Sequence, residues 1–288
     1  MQSGQEPVVR VRSLRKCFDR FALDIPSLEI GQGEVVGLIG ENGAGKSTLI
    51  KLLLGVIPSD GGEIGVFGQQ FLTPALRERI GVAFDQCWFS AVLNLRDIEA
   101  IMRGLYPRTW DQGMFCELAE KLGLPERQRI AEYSSGMKAK LGILSSICHA
   151  PDLLVLDEPT NSLDPVMRHD VNRMIQDFGE AGGKTVLFSS HIVNELEDFV
   201  DRILLMKGGA IVLDSRMDAL QTDYCVGSMS LAEAPFGAPD NAVAVLREGG
   251  NISFLLRGAP QGPWEALRVE PGVRLDGLMY FFERGERA

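Results

Sequence analysis

EVVGLIGENGAGKS, residues 34–47, opens on a nearly unbroken apolar run and ends in a glycine-rich loop. A run of strand length without polar alternation predicts a strand buried on both faces of a parallel sheet. The loop itself, Gly40-Glu41-Asn42-Gly43-Ala44-Gly45-Lys46-Ser47, matches G-x-x-x-x-G-K-[ST] at every position. Its glycines let the backbone curl until successive N–H groups point inward, at a phosphate. A helix over residues 47–55 would add the positive end of its dipole. Lys46 is expected to neutralise β- and γ-phosphates, and Ser47 to ligate Mg2+. Asn42, Gly43, Ala44, Gly45 and Thr48 complete the candidate cradle. Glycine-rich turns between strand and helix are common, yet a full match in this context predicts a nucleotide-phosphate site of the P-loop kind.

Working outward, residues 8–14 and 21–30 alternate apolar and polar and predict antiparallel strands. Downstream, residues 153–156 (LLVL) and 185–188 (TVLF) are two more buried runs, with a predicted helix near 165–181 between them. Asp157 closes the first of these runs and Glu158 follows it. Ligands and catalytic groups gather at the carboxyl ends of parallel strands. Asp157 is placed to hold Mg2+ through its water shell, and Glu158 to polarise an attacking water as general base. Residues 92–149 read as mostly helical, broken at Tyr106-Pro107 and Leu124-Pro125. Residues 202–206 and 210–214 flank Lys207-Gly208-Gly209, a hairpin signal. The Gly/Pro-rich tail beyond residue 221 carries a predicted strand pair, 241–247 and 251–257, across Gly249-Gly250.

Further motifs narrow the class. Gln86 follows a strand-like run at 80–84, and Tyr133-Ser134-Ser135-Gly136-Met137 opens a predicted helix. Ser162-Leu163-Asp164 comes next, and His191 ends Phe188-Ser189-Ser190-His191. In this order, over about residues 8–220, these motifs resemble the nucleotide-binding domain of ABC transporters. The resemblance implies that Gln86 is the Q-loop glutamine, which contacts metal or water and links to a membrane partner. It implies that Ser134 and Gly136 belong to the signature motif, aimed at a γ-phosphate on an opposing protomer by free N–H groups at a helix N-terminus. His191 would be the switch histidine near the γ-phosphate, and residues 162–164 the D-loop along the dimer interface. Phe18 would stack on adenine, with Phe21 as its rival. Ser135 stands where the family has glycine, and Met137 where it has glutamine; a plain serine N-cap is the alternative for this stretch.

The implied fold is an α/β P-loop NTPase of the ABC ATPase type. It has a mixed central sheet, an N-terminal antiparallel β-subdomain, a helical insert at about 87–150 and a small C-terminal α+β appendage. Residues 1–221 would be the nucleotide-binding domain and 222–288 an accessory unit. Residues 106–111 (YPRTWD), the Ser-Gly-Met signature and the C-terminal MYFFERGE look most like the ATPases of bacterial ABC-2-type antibiotic- or peptide-resistance exporters. The implied function is to bind and hydrolyse ATP with Mg2+ as a homodimer, or as a heterodimer with a related cassette. That dimer would drive a separately encoded transmembrane permease from the cytoplasmic face of the membrane. Trp88 and Phe89 are either exposed anchors for that permease or ordinary core aromatics.

Bulk properties agree. Acidic residues outnumber basic ones, 39 to 29, which argues against a dedicated nucleic-acid binder. The five cysteines are scattered without a C-x-x-C pair, so neither a disulfide framework nor a zinc site is expected. No run approaches the ~18 apolar residues of a membrane span, and the N-terminus lacks the apolar segment of a signal peptide. Three rivals fare worse. A soluble ABC ATPase acting on ribosomes or DNA would show two cassettes or coiled coils. A non-hydrolysing regulatory module would not need Glu158 and His191, and a P-loop kinase leaves residues 133–137 and His191 unexplained.

Overall fold

Three apolar runs of the sequence become strands in which every residue is buried: Val35–Ile39, Leu153–Asp157 and Thr185–Ser190. The structure is a computed structural model and describes residues 6–193, 196–197, 199–234, 237–260 and 262–287. The chain begins β1 (Val9–Phe18), β2 (Phe21–Ile30), β3 (Val35–Ile39), α1 (Lys46–Leu53), β4 (Gly61–Val66), α2 (Pro74–Arg77) and β5 (Ile80–Phe84). It continues with α3 (Leu95–Leu105), α4 (Gln112–Lys121), α5 (Ser135–Ile147), β6 (Leu153–Asp157), α6 (Pro165–Glu180) and β7 (Thr185–Ser190). Then come β8 (Arg202–Lys207), β9 (Ala210–Arg216), α7 (Met217–Thr222) and β10 (Tyr224–Ser230). The last elements are β11 (Ala242–Glu248), β12 (Asn251–Arg257), β13 (Arg268–Pro271), α8 (Leu275–Arg284) and β14 (Glu286–Arg287).

The central sheet has the order β5-β6-β7-β3-β8-β9, parallel except for β9, which returns antiparallel from β8. Successive residues of a strand point to opposite faces, and the apolar runs therefore feed two cores. Val36, Leu38, Val155 and Leu187 pack with Leu49 and Ile50 of α1 and with Leu14 and Ile25 of the N-terminal strands. Their neighbours Ile39, Leu154, Leu156 and Phe188 pack on the other face with Ile98, Phe115, Leu144 and Ile175 from α3, α4, α5 and α6. The sheet is thus covered on both sides, as a largely parallel sheet must be.

Over the α1 side lies a three-stranded antiparallel sheet, β2-β1-β4. Its third strand was hidden in the sequence, because GGEIGV is too glycine-rich to read as a strand. In the helical insert, each long helix starts where a short polar side chain caps it. Asn94 forms a capping box with Asp97, Asp111 caps α4 and Ser134 caps α5; beyond the insert, Asp164 caps α6 ahead of a proline in its first turn. Each such cap contributes about 1 kcal/mol. Helices α3 and α4 end before the two predicted breaks.

The C-terminal strands form an antiparallel sheet of order β13-β10-β12-β11-β14. Gly249 and Gly250 join β11 to β12 with φ of 57° and 81°, a two-residue turn that needs two left-handed residues. One face of this sheet has its own core around Phe254, Trp264 and Leu267. Its other face, with Leu246 and Leu255, shares α8 and a continuous buried cluster with Leu205, Leu213 and Leu220 of the preceding unit. The mixed sheet, N-terminal antiparallel sheet, helical insert and C-terminal α+β unit are all present as expected.

Candidate functional site

Where β3 ends, the chain turns at once through Gly40, at φ 151°. A Cβ there would lie 2.3 Å from the Met206 carbonyl oxygen, so the loop can pass β8 only with glycine in place. Gly45, at φ 112°, precedes Lys46 and gives α1 no side-chain cap. The first-turn N–H groups are left for an anion at the positive helix end. Asn42 and Gly43 are exposed at the crest of the loop, Ala44 is buried beneath it, and Thr48 is half-buried in the first turn.

Lys46 is 5% exposed, and a buried ammonium survives only with good partners. It donates to the Gly40 and Glu41 carbonyls at 2.6 and 3.2 Å and lies 3.1 Å from Glu158 Oε1. Ser47 Oγ donates to Asp157 Oδ1 at 3.0 Å, and Ser189 Oγ donates to the same oxygen at 2.8 Å. Adjacent strands make this possible, because β6 is paired with β7, Asp157 opposite Ser189. Glu158 has φ 52°, a left-handed conformation that costs a non-glycine residue roughly 1–3 kcal/mol. Its N–H donates to Ser189 Oγ at 3.0 Å, which holds the turn. The turn swings the carboxylate between Lys46 and His191, whose Nδ1 lies 2.7 Å from Oε2. A carboxylate accepts at that contact, so Nδ1 carries the proton.

A cation and a helix N-terminus stand on one side of this group, a histidine-held acid on the other. The arrangement suits a polyanion and an activated water. The model of the family described as "ABC transporter" matches residues 23–161. The bacitracin transport ATP-binding protein BcrA of Bacillus licheniformis is 32% identical over 222 residues, covering 74% of this chain and 71% of that protein. This chain belongs to the ABC transporter ATP-binding family. As a member it binds ATP and is an ATPase. The Nod factor export ATP-binding protein I of Sinorhizobium fredii is 33% identical over 293 residues, 95% of this chain and 83% of that protein. Its likeness therefore reaches through the C-terminal unit. A solved ATP-binding subunit of an ABC transporter shares the fold, with TM-score 0.65 and 24% identity over 74% of this chain and 92% of that one.

The remaining candidate residues of this ABC ATPase fall in three places. Phe18 is 48% exposed at the end of β1, with the Lys16 ammonium over its ring at 5.7 Å from the centroid. Phe21 is turned inward instead, its ring edge 2.8 Å from where a Cβ on Gly45 would sit. Gln86, just past β5, is exposed and lines a cavity of about 200 Å3 with Trp88, Phe89, Tyr106 and His149. Among the described residues no hydrogen bond joins its side chain to Ser47 or Asp157. Trp88 is 71% exposed with its ring tilted against Phe84, whereas Phe89 packs partly buried against the core.

Asp85, which sequence reasoning passed over, lies within electrostatic reach of Glu158, Asp157 and His191. Burial and then the charges of Glu158 and Asp157 raise its carboxyl above the ordinary range, with His191 opposing. Its one signal in the sequence was its position immediately after β5. Ser134 caps α5, accepting from the Met137 N–H at 3.2 Å. Gly136 is packed against the D-loop of its own chain, 3.3 Å separating a would-be Cβ from the Ser162 carbonyl. Among the described residues neither is hydrogen-bonded to the Lys46–Glu158–His191 group.

Proposed function

We propose that two copies of this chain, or one copy and a related cassette, close head-to-tail around two MgATP. Their closure drives a separately encoded permease at the cytoplasmic face of the membrane. Each ATP lies against Lys46, Ser47, Gln86, Asp157, Glu158 and His191 of one subunit, with Phe18 on the adenine. Ser134 and Gly136 of the other subunit cover the γ-phosphate. The observation that carries this is the Glu158 carboxylate held between Lys46 and His191 beside an uncapped helix N-terminus.

In hydrolysis the water oxygen bonds to the γ-phosphorus while the bond to the bridging oxygen breaks, and ADP departs with that oxygen. Glu158 takes the proton of the water, His191 orients Glu158, and Lys46 with the α1 N–H groups stabilises the phosphate charge. Mg2+ prefers oxygen ligands and is typically held through one or two carboxylates together with substrate phosphates and waters. The Ser47 hydroxyl and Asp157 carboxylate, in contact at the floor of the cradle, fit that demand, with Gln86 as the third assigned ligand. When bound, the ion neutralises charge on the β- and γ-phosphates.

Residues 1–221 act as the cassette and 222–288 as an accessory unit. The groove beside Gln86, with Trp88 at its rim, receives the permease. None of the helices among the described residues is long and apolar enough to cross a membrane, and the membrane span is assigned to the partner. Relatives named for bacitracin transport and Nod factor export support export as the direction.

The test is the mass in solution of the Glu158→Gln protein, by size exclusion with light scattering, with and without MgATP. The expected result is a dimer that forms only with MgATP and is lost on adding Ser134→Arg. A protein that binds ATP and stays monomeric would sink the two-copy part of the proposal.

A further inference from the structure

Helix α8 is tied to the preceding unit at both of its ends. It brings no side-chain cap of its own at Arg274, and its first orphan donor is satisfied from the other unit. The Leu275 N–H donates to Glu197 Oε1 at 2.7 Å, and the Arg274 guanidinium lies 3.4 Å from Glu197 Oε2. A carboxylate at a helix N-terminus is also favoured by the dipole. Glu197 belongs to the segment between β7 and β8 that begins at His191. Leu196 and Val200 of that segment are seated on the strand feeding the P-loop. A Cβ on Gly37 of β3 would be 3.2 Å from Leu196 and 3.4 Å from Val200.

At the opposite end, Lys207 of β8 donates to the Phe282 carbonyl. Met279, Phe282 and Glu283 face the loop residues Glu41–Ala44 across a cavity of about 320 Å3. Between the two ends, Leu275, Leu278 and Phe281 are buried in one cluster with Ile39, Leu205 and Val200. A close-packed interior of this kind passes displacement on rather than absorbing it.

We propose that Glu197 is a positioning residue and α8 a strap that ties the His191 segment to the flank of the P-loop. A nucleotide seated on residues 40–47 therefore orders α8, and cutting the tie lowers turnover without lowering nucleotide affinity. The turnover arm rests on His191 orienting Glu158; the ordering arm does not.

The experiment uses the full chain with MgADP as probe and follows hydrogen–deuterium exchange over residues 275–284. MgADP is expected to slow exchange there in the unaltered protein and in Glu197→Gln, which keeps an acceptor for the Leu275 N–H. In Glu197→Ala the slowing is lost and kcat falls about tenfold or more, the scale of a misplaced catalytic group. The Kd for MgADP stays within about twofold, since the P-loop contacts are untouched. Unchanged exchange over β10–β12 reports that the C-terminal sheet of the variant is still folded. Unaltered protein that binds MgADP with no change over 275–284 overturns the strap and leaves the ATPase reading standing. Protein that binds no MgADP sinks the nucleotide site and the strap together. A Glu197→Ala protein with normal kcat overturns the positioning role.

Discussion

Replacing Glu158 by glutamine removes one charge from a pair whose side chains are 5% and 12% exposed. Breaking a buried ion pair typically costs about 3–5 kcal/mol. Here Lys46 keeps the Gly40 and Glu41 carbonyls and gains an amide oxygen as neighbour. The loss is then closer to one charge-assisted hydrogen bond, about 1.5–3 kcal/mol. At roughly 2–4 °C per kcal/mol for a chain of this size, the nucleotide-free protein should melt about 3–12 °C lower. ATP phosphates take Lys46 away from Glu158, so the substitution costs stability in the free state but not in the bound one. By the thermodynamic cycle, a non-hydrolysable ATP analogue should bind roughly 10- to 150-fold more tightly to Glu158→Gln. Hydrolysis itself should drop about 10²- to 10⁴-fold with the general base gone. Thermal melts without nucleotide, paired with calorimetric titration of the analogue, measure both arms. A lowered melting temperature with unchanged analogue affinity would refute the reasoning, because the Lys46–Glu158 pair would then persist with nucleotide bound.

Two further predictions concern the walls of the site. Gly40→Ala forces a Cβ to within 2.3 Å of the Met206 carbonyl at a φ that alanine resists. It should lower stability by about 1–3 kcal/mol and abolish nucleotide binding; an alanine protein with ordinary affinity would show that the loop has room to spare. His149 is buried at the back of the groove beside Gln86, its ring stacked 4.0 Å from Tyr106, and burial pulls its pKa below the usual 6.5. Below 6.5 the unfolded chain takes up a proton that the folded one refuses. Stability is therefore whole above 6.5 and falls on acidification toward the folded pKa, by at most about 1.4 kcal/mol per pH unit. His149→Gln should flatten the fall in melting temperature between about pH 7 and pH 5.5. An identical slope in both proteins would exclude His149 as its source.

Local pattern carried much of this protein. The apolar runs at 34–39, 153–156 and 185–188 had to be interior strands, and G-x-x-x-x-G-K-S after the first had to be a phosphate cradle. Helix starts at Asn94, Asp111 and Asp164 are written in a short polar residue beside an amphipathic stretch. These signals are legible because periodicity and capping act over a few neighbouring residues. Glycine-rich β4 is held in its sheet by pairing with β1, and nothing in its own six residues announces it. Strand order likewise belongs to the whole chain. Only with β6 between β5 and β7, and β3 beyond β7, does Asp157 meet both Ser47 and Ser189. The same order brings Asp85 into the electrostatic reach of the two acids. Glu158 reaches Lys46 and His191 through a left-handed turn held by Ser189 from the next strand. The sequence by itself determined which chemistry the chain carries. Which side chains share that chemistry, and that α8 returns to brace it, only tertiary packing decided, because those contacts join residues far apart along the chain.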